Sequence, residues 1–307
     1  MHPSLTERYR GALLGLACGD AVGTTVEFQP RGSFRPLTDM VGGGPFNLKP
    51  GQWTDDTSMA LCLAESLLNK NGFDAADQMG RYLNWWQWGY LSSTGECFDI
   101  GMTVSDALNR YQQTGEPFAG STDPYSAGNG SLMRLVPVVL HYFPDHERIR
   151  VFSAHSSRTT HGASEAIECC ELFAELIGSA LQGAPKADLL RVSAMALREP
   201  KVAAIARGEY IDKSERAIRG SGYCVASLEA ALWCFHHTDS FEAAILKAAN
   251  LGDDADTTAA IVGQLAGAFY GVQAIPSSWL QRLHMREDIE AYADRLLLAS
   301  NAPAATG

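Results

Sequence analysis

Residues 250–271 read NLGDDADTTAAIVGQLAGAFYG, and their reading decides the fold. Three aspartates in four positions (Asp253, Asp254 and Asp256) lead into an apolar run where Gly263, Gly267 and Gly271 recur every fourth residue. Four-residue spacing puts those glycines on one face of an α-helix. Each interior glycine costs about 1 kcal/mol against alanine, so the stripe needs a packing reason. A glycine face lets another backbone approach closely. The same stripe occurs once more, as Gly11, Gly15, Gly19 and Gly23, in a helix opened by a Ser4/Glu7 capping box. Two central, tightly packed helices are expected. Residues 257–281 carry no charge, which raises a membrane span. Gln264, Gln273, Pro276 and the glycines dilute that run, and aspartates stand just before it, so a buried core helix and no membrane insertion are expected.

Outward from these two helices, helical periodicity dominates. Met59, Ala60, Leu63, Ala64 and Leu67 continue it after Thr54-Asp55-Asp56. Further helices are expected over 74–90, 103–113, 131–142, 145–156, 163–182, 186–198, 224–237, 241–250 and 285–299. Val136–Leu140 is the best strand candidate, but it fits better in a helix bent by Pro137. The fold class is therefore all-α. The Gly/Pro-rich stretch 29–51 reads as a long loop, and no linker divides the chain. One domain over 1–300 with a tail at 301–307 is expected.

Composition narrows the function. With 46% apolar and 19% charged residues the chain has material for a large core, which excludes intrinsic disorder. Acidic side chains outnumber basic ones 35 to 24, which argues against nucleic acid bound on a broad basic face. An anionic substrate would require a local basic pocket or bound cations. The seven cysteines form no CxxC pair, and all but Cys97 lie in apolar helical patterns as small core hydrophobes. The opening MHPSLTERYR lacks the apolar stretch of a signal peptide. A cytoplasmic monomer is expected.

The chemistry concentrates in two acidic clusters, Thr54-Asp55-Asp56-Thr57 and Asp253-Asp254-Ala255-Asp256-Thr257, each directly before an apolar helix. Capping and the helix dipole account for one or two such residues per helix. They do not account for three aspartates in four positions, where mutual repulsion must be countered. Carboxylate and hydroxyl oxygens without neighbouring His or Cys suit Mg²⁺ or Mn²⁺ and disfavour zinc. The set suffices for two ions, which could orient vicinal hydroxyls or phosphates and activate water. Two other helical, metal-using classes fail on residues. The DDxxD of terpenoid synthases has Met59 where its last aspartate belongs, and the His-Asp dyad of phosphohydrolases occurs only reversed, as Asp145-His146. Read alone, Gly128-Asn129-Gly130 is a turn that could open a helix at Ser131 and present free N–H groups to a diphosphate. Taken the same way, His161 is a helix-end histidine and Tyr223 a core aromatic. Trp85, Trp86 and Trp88 read as core or interface aromatics, and Asp99, between Phe98 and Ile100, has no basic neighbour.

In order along the chain, GALLGLACGDAVGTTVEF (11–28), GQWTDDTSMAL (51–61), CFDIGMTV (97–104), SAGNGSLMRLVPV (126–138), THGASEA (160–166), SGYCVASLEAALWCF (221–235) and residues 250–271 resemble the ADP-ribosylglycohydrolase family. Within it the chain is similar to the dinitrogenase-reductase-activating branch. The resemblance implies a compact orthogonal multi-helix bundle around a binuclear centre of two Mg²⁺ or Mn²⁺ ions. It further implies hydrolysis of the N-glycosidic bond of ADP-ribosylated arginine on proteins, releasing ADP-ribose. Thr54, Asp55 and Asp56 match one set of metal ligands, and Asp254, Asp256 and Thr257 the other. Asp253 stands where many relatives have glycine and is not counted. Asp99 and Glu27 match acidic residues assigned to catalysis. Gly101, Asn129, Gly130, Ser131, His161 and Tyr223 match positions that bind the substrate. The alternatives are an ADP-ribosyl-serine, O-acetyl-ADP-ribose or other small-conjugate hydrolase, or a non-catalytic binding or structural member.

Overall fold

The computed structural model describes residues 2–192 and 195–301. Their order is α1 (Leu5–Gly23), α2 (Asp55–Lys70), α3 (Ala75–Trp88), α4 (Met102–Thr114), α5 (Val136–Tyr142), α6 (His146–Thr160) and α7 (Ser164–Leu181). Two short helices, α8 (Lys186–Leu189) and α9 (Pro200–Ala206), follow. The chain closes with α10 (Cys224–His236), α11 (Phe241–Ala249), α12 (Ala255–Tyr270), α13 (Ser277–Arg282) and α14 (Arg286–Ser300). Strand pairing among the described residues is confined to isolated bridges, in keeping with the all-α expectation. Among the described residues no helix is long and apolar enough to cross a membrane. Beyond Asn301 the expected tail lies outside the described residues.

The two glycine stripes explain each other. Helices α1 and α12 run antiparallel with their backbones in contact, so that Gly11 faces Gly267, Gly15 faces Gly263, Gly19 faces Ala259 and Gly23 faces Ala255. A Cβ at any of the glycines in these pairs would come within 3.0 Å of a carbonyl oxygen on the other helix. Both helices are buried along almost their whole length. Arg8 locks the opposite end, donating from Nη1 to the carbonyls of Ala180, Ala268 and Phe269 where α7 and α12 finish. One apolar core extends from Tyr9 to Leu296 around this pair, and a smaller one lies between α2, α3 and α4. The consequence for function is positional. The end of α1 and the start of α12 meet in register, which brings Asp20 and Asp256 together.

Three expectations are corrected. Residues 131–134 form turns, and α5 begins only at Val136, with Pro137 unbent in its first turn. Proline belongs there because the first-turn N–H groups have no helical partner. Buried Gln264 substitutes for the missing turn, accepting from Val136 N–H (2.8 Å) and donating to the carbonyls of Leu132 and Met133. The helix expected over 186–198 stops at Leu189, and helix resumes at Pro200, again at a first position; residues 193–194 lie outside the described set. Helix α13, after Pro276, escaped the sequence reading. The Ser4/Glu7 capping box forms as expected. Trp85 is buried as a core aromatic, whereas Trp88 stands exposed.

Candidate active site

The acidic clusters do not cap their helices. Thr54 and Asp254 occupy the N-cap positions of α2 and α12, yet neither side chain bonds a helical N–H of its own helix. Capping of α2 passes to Asp20 on α1, a residue the sequence reading missed. Its carboxylate accepts from the N–H and hydroxyl of Thr54 (2.9 Å each) and from those of Thr57 (3.0 and 2.6 Å). Freed from capping, Asp56 and Asp256 turn to a common centre. One oxygen each of Asp20, Asp56 and Asp256 lie within 4.8 Å of one another, and so do oxygens of Glu27, Asp99 and Asp256.

These contacts are short of protons. The Thr54 hydroxyl sits 2.9, 3.1 and 3.3 Å from carboxylate oxygens of Asp20, Asp56 and Asp256 but has one hydrogen to give. Buried Oδ1 atoms of Asp56 and Asp256 have no hydrogen-bond partner at all. Burial pushes Asp20 up to about 6 against hydrogen bonds from Thr57 and Thr54, and burial reinforced by neighbouring carboxylates pushes Asp99 to about 7 and Glu27 to about 9. The same causes raise Asp55, Asp56 and Asp256 well above the ordinary carboxylate range. Burial raises Asp254 too, against hydrogen bonds from Asn129 and Thr257. So many uncompensated negative groups are costly unless protons or cations join them. An all-oxygen donor set with orphaned buried carboxylate oxygens fits a hard divalent cation.

A cleft of about 730 Å³ opens above this cluster. Of the residues read from sequence, Glu27, Asp55, Asp99, Gly101, Asn129, Gly130, His161, Asp254, Asp256 and Thr257 line it. Thr54 and Asp56 lie buried beneath. Tyr223 stands in an adjoining groove of about 700 Å³, its hydroxyl between Lys201 Nζ (2.8 Å) and Glu165. The two hollows share Thr103, Gly128 and Gly222. Ser131 lines neither hollow, because its hydroxyl is engaged in the core with Ser157 (2.8 Å). Asn129 is aimed at Asp254, donating to its Oδ2 at 2.7 Å and to Ser227 Oγ at 3.1 Å.

His161 is held in one tautomer by a chain of donors. Buried Arg134, which only donates, gives an Nη2 hydrogen to Thr160 Oγ1 (2.8 Å). The Thr160 hydrogen is thereby left for His161 Nδ1, 2.8 Å away. Burial and the Arg134 charge hold the imidazole neutral, with its pKa lowered to about 3. The proton therefore rests on Nε2, which faces Gly128 and Gly130 at the cleft wall. A Cβ at Gly130 would collide with that ring.

The pKa shifts set the sign of a pH effect. Carboxyls raised in the fold bind protons more tightly folded than unfolded, so their contribution falls as pH rises from about 4 to about 9. His161 and His141, lowered by burial to about 3 and about 4, cost stability below their ordinary 6.5. The raised carboxyls outnumber the lowered histidines, so in chelator the melting temperature should fall as pH rises from about 5 toward 9. Millimolar Mn²⁺ or Mg²⁺ should reverse the alkaline drop, as thermal scans with and without EDTA will test. An alkaline limb that ignores the cation would contradict the cluster's role.

The chain belongs to the ADP-ribosylglycohydrolase family, whose model matches residues 1–305. More particularly, it is 46% identical over 292 residues to the ADP-ribosylarginine hydrolase Tri1 of Pseudomonas putida (strain GB-1), covering 94% of this chain and 78% of that one. The ADP-ribosyl-[dinitrogen reductase] glycohydrolase of Rhodospirillum rubrum, from the branch that the motifs resemble, is 34% identical over 304 residues, 96% of this chain and 97% of the relative. A solved chain from an ADP-ribosylglycohydrolase-related protein complex superposes with a TM-score of 0.87 at 46% identity, covering 97% of this chain and 99% of its own.

Proposed function

We propose that this protein hydrolyses the N-glycosidic bond between ADP-ribose and the guanidine of a modified arginine on proteins, releasing ADP-ribose. The carrying observation is the pooling of two acidic helix starts, Asp55-Asp56 and Asp254-Asp256, on the floor of one cleft. The activity named for the bacterial relatives at 43–46% identity supports the arginine linkage. Thr54, Asp55, Asp56, Asp254, Asp256 and Thr257 would hold two Mg²⁺ or Mn²⁺ ions, with Asp20 fixing α2 behind them. Such ions would neutralise the cluster, order the ribose hydroxyls and make water more acidic.

The protein's own groups do the rest. Glu27 and Asp99 meet carboxyl to carboxyl and line the cleft. Two carboxyls in contact keep one proton between them, so the pair can protonate the departing guanidine nitrogen and accept a proton from water. Glycoside cleavage through an oxocarbenium-like state calls for those two transfers. His161 Nε2–H, Gly101 and the Asn129-Gly130 turn wall the sugar-diphosphate, and Tyr223 with Lys201 bounds the adjoining groove. The reading takes 1–300 as one domain acting as a monomer in the cytoplasm, where seven unpaired cysteines suit a reducing compartment.

Assaying ADP-ribosylated arginine and serine peptides side by side tests the linkage; faster release from serine would overturn it. Thr160→Val, which breaks the donor chain without changing size, should weaken ADP-ribose binding about tenfold. In ¹⁵N spectra of His161 the wild type should show an unprotonated Nδ1, and the variant a mixture of tautomers.

A further inference from the structure

Phe28 is an anomaly at the mouth of the cleft. Its backbone is left-handed (φ 63°), a conformation unfavourable for a bulky residue, yet its ring is 66% exposed. Asp253 is left-handed as well (φ 56°), and the two are tied together: Phe28 N–H donates to Asp253 O and Asp253 N–H to Gln29 O, each at 2.8 Å. Both side chains line the cleft. Phe28 packs edge-on against Phe46 (ring centroids 6.4 Å apart), which lies 5.1 Å from Phe98, beside Asp99. An aromatic arc thus connects Asp253 to Asp99 around the opening.

Among the described residues no Lys or Arg lines the cleft of Glu27, Asp99 and Asp253. The adjoining groove holds Lys201, but with Glu165 and Glu199 beside it and Lys201 paired to Glu165 at 3.2 Å. The acidic mouth of the cleft therefore favours the cationic end of a ligand. A guanidinium is planar, weakly hydrated, stacks on aromatic faces and pairs with carboxylates. We propose that Phe28 and Asp253 form the acceptor subsite, the ring stacking on the modified arginine's guanidinium and the carboxylate pairing with it. This inference rests on the arginine reading above and adds the residues that read the acceptor.

The test is steady-state hydrolysis of ADP-ribosyl-agmatine by Phe28→Ala and Asp253→Asn, with Phe28→Trp as the conservative variant. ADP-ribose binding with Mn²⁺ is measured alongside by calorimetry. Each of the first two variants should raise KM about tenfold with kcat within about twofold, the signature of lost ground-state binding. ADP-ribose affinity should stay within about twofold, inhibition by free agmatine should weaken, and Phe28→Trp should keep the low KM. An unchanged KM, or a parallel loss of ADP-ribose affinity, overturns the subsite while leaving the arginine activity standing. A wild type that releases ADP-ribose from serine but not from agmatine overturns both.

Discussion

Asp256→Asn should lower the release of ADP-ribose from arginine peptides by about 10³-fold, some 4 kcal/mol of transition-state stabilisation, while leaving the protein folded. Asp256 is the one carboxylate common to both close groups, the one with Asp20 and Asp56 and the one with Glu27 and Asp99. Its loss therefore disturbs cation binding and the proton-handling pair together. Because Asp256 is buried with Oδ1 unpaired, removing its charge also relieves repulsion. In chelator the variant should melt no lower than the wild type, and the stabilisation by Mn²⁺ should shrink or vanish. Activity within tenfold of wild type would defeat the assignment of this cluster. So would full activity alongside an intact Mn²⁺ response.

Gly267→Val should cost about 3 kcal/mol or more of stability, at the upper end for an overpacked core, since the added atoms meet backbone that has no rotamer to yield. The comparison is Gly80→Ala on α3, where nothing lies within 4 Å of the new methyl and helix propensity alone predicts a gain of about 1 kcal/mol. Chemical denaturation of the two variants decides it. If Gly267→Val proved neutral, α1 and α12 could not be backbone-to-backbone in solution. The alignment of Asp20 with Asp256 would then have no basis.

Much of this was legible along the chain. The stripes at Gly11–Gly23 and Gly263–Gly271 announce two helices built for close packing because four-residue spacing is a local property of the helix. The aspartate triplets announce themselves by a charge density that capping does not explain. Asp20 carried a weaker signal, as the sole acidic residue between Glu7 and Glu27, inside the first stripe. The 131–142 reading failed because helical periodicity continues through turns whose hydrogen bonds are supplied by Gln264, more than a hundred residues away.

Local spacing by itself determined the helical class, the presence of two close-packing glycine faces and the clusters of oxygen donors, since each depends on near neighbours in the chain; that the two glycine faces pack on each other was decided by the tertiary structure. The tertiary structure decided which oxygens converge. Asp20 caps a helix it does not belong to, Ser131 turns to the core, and Asn129 reaches Asp254. Arg134 sets the His161 tautomer through Thr160. Each of these is a directional hydrogen bond between segments whose separation and angle exist only after the helices have packed.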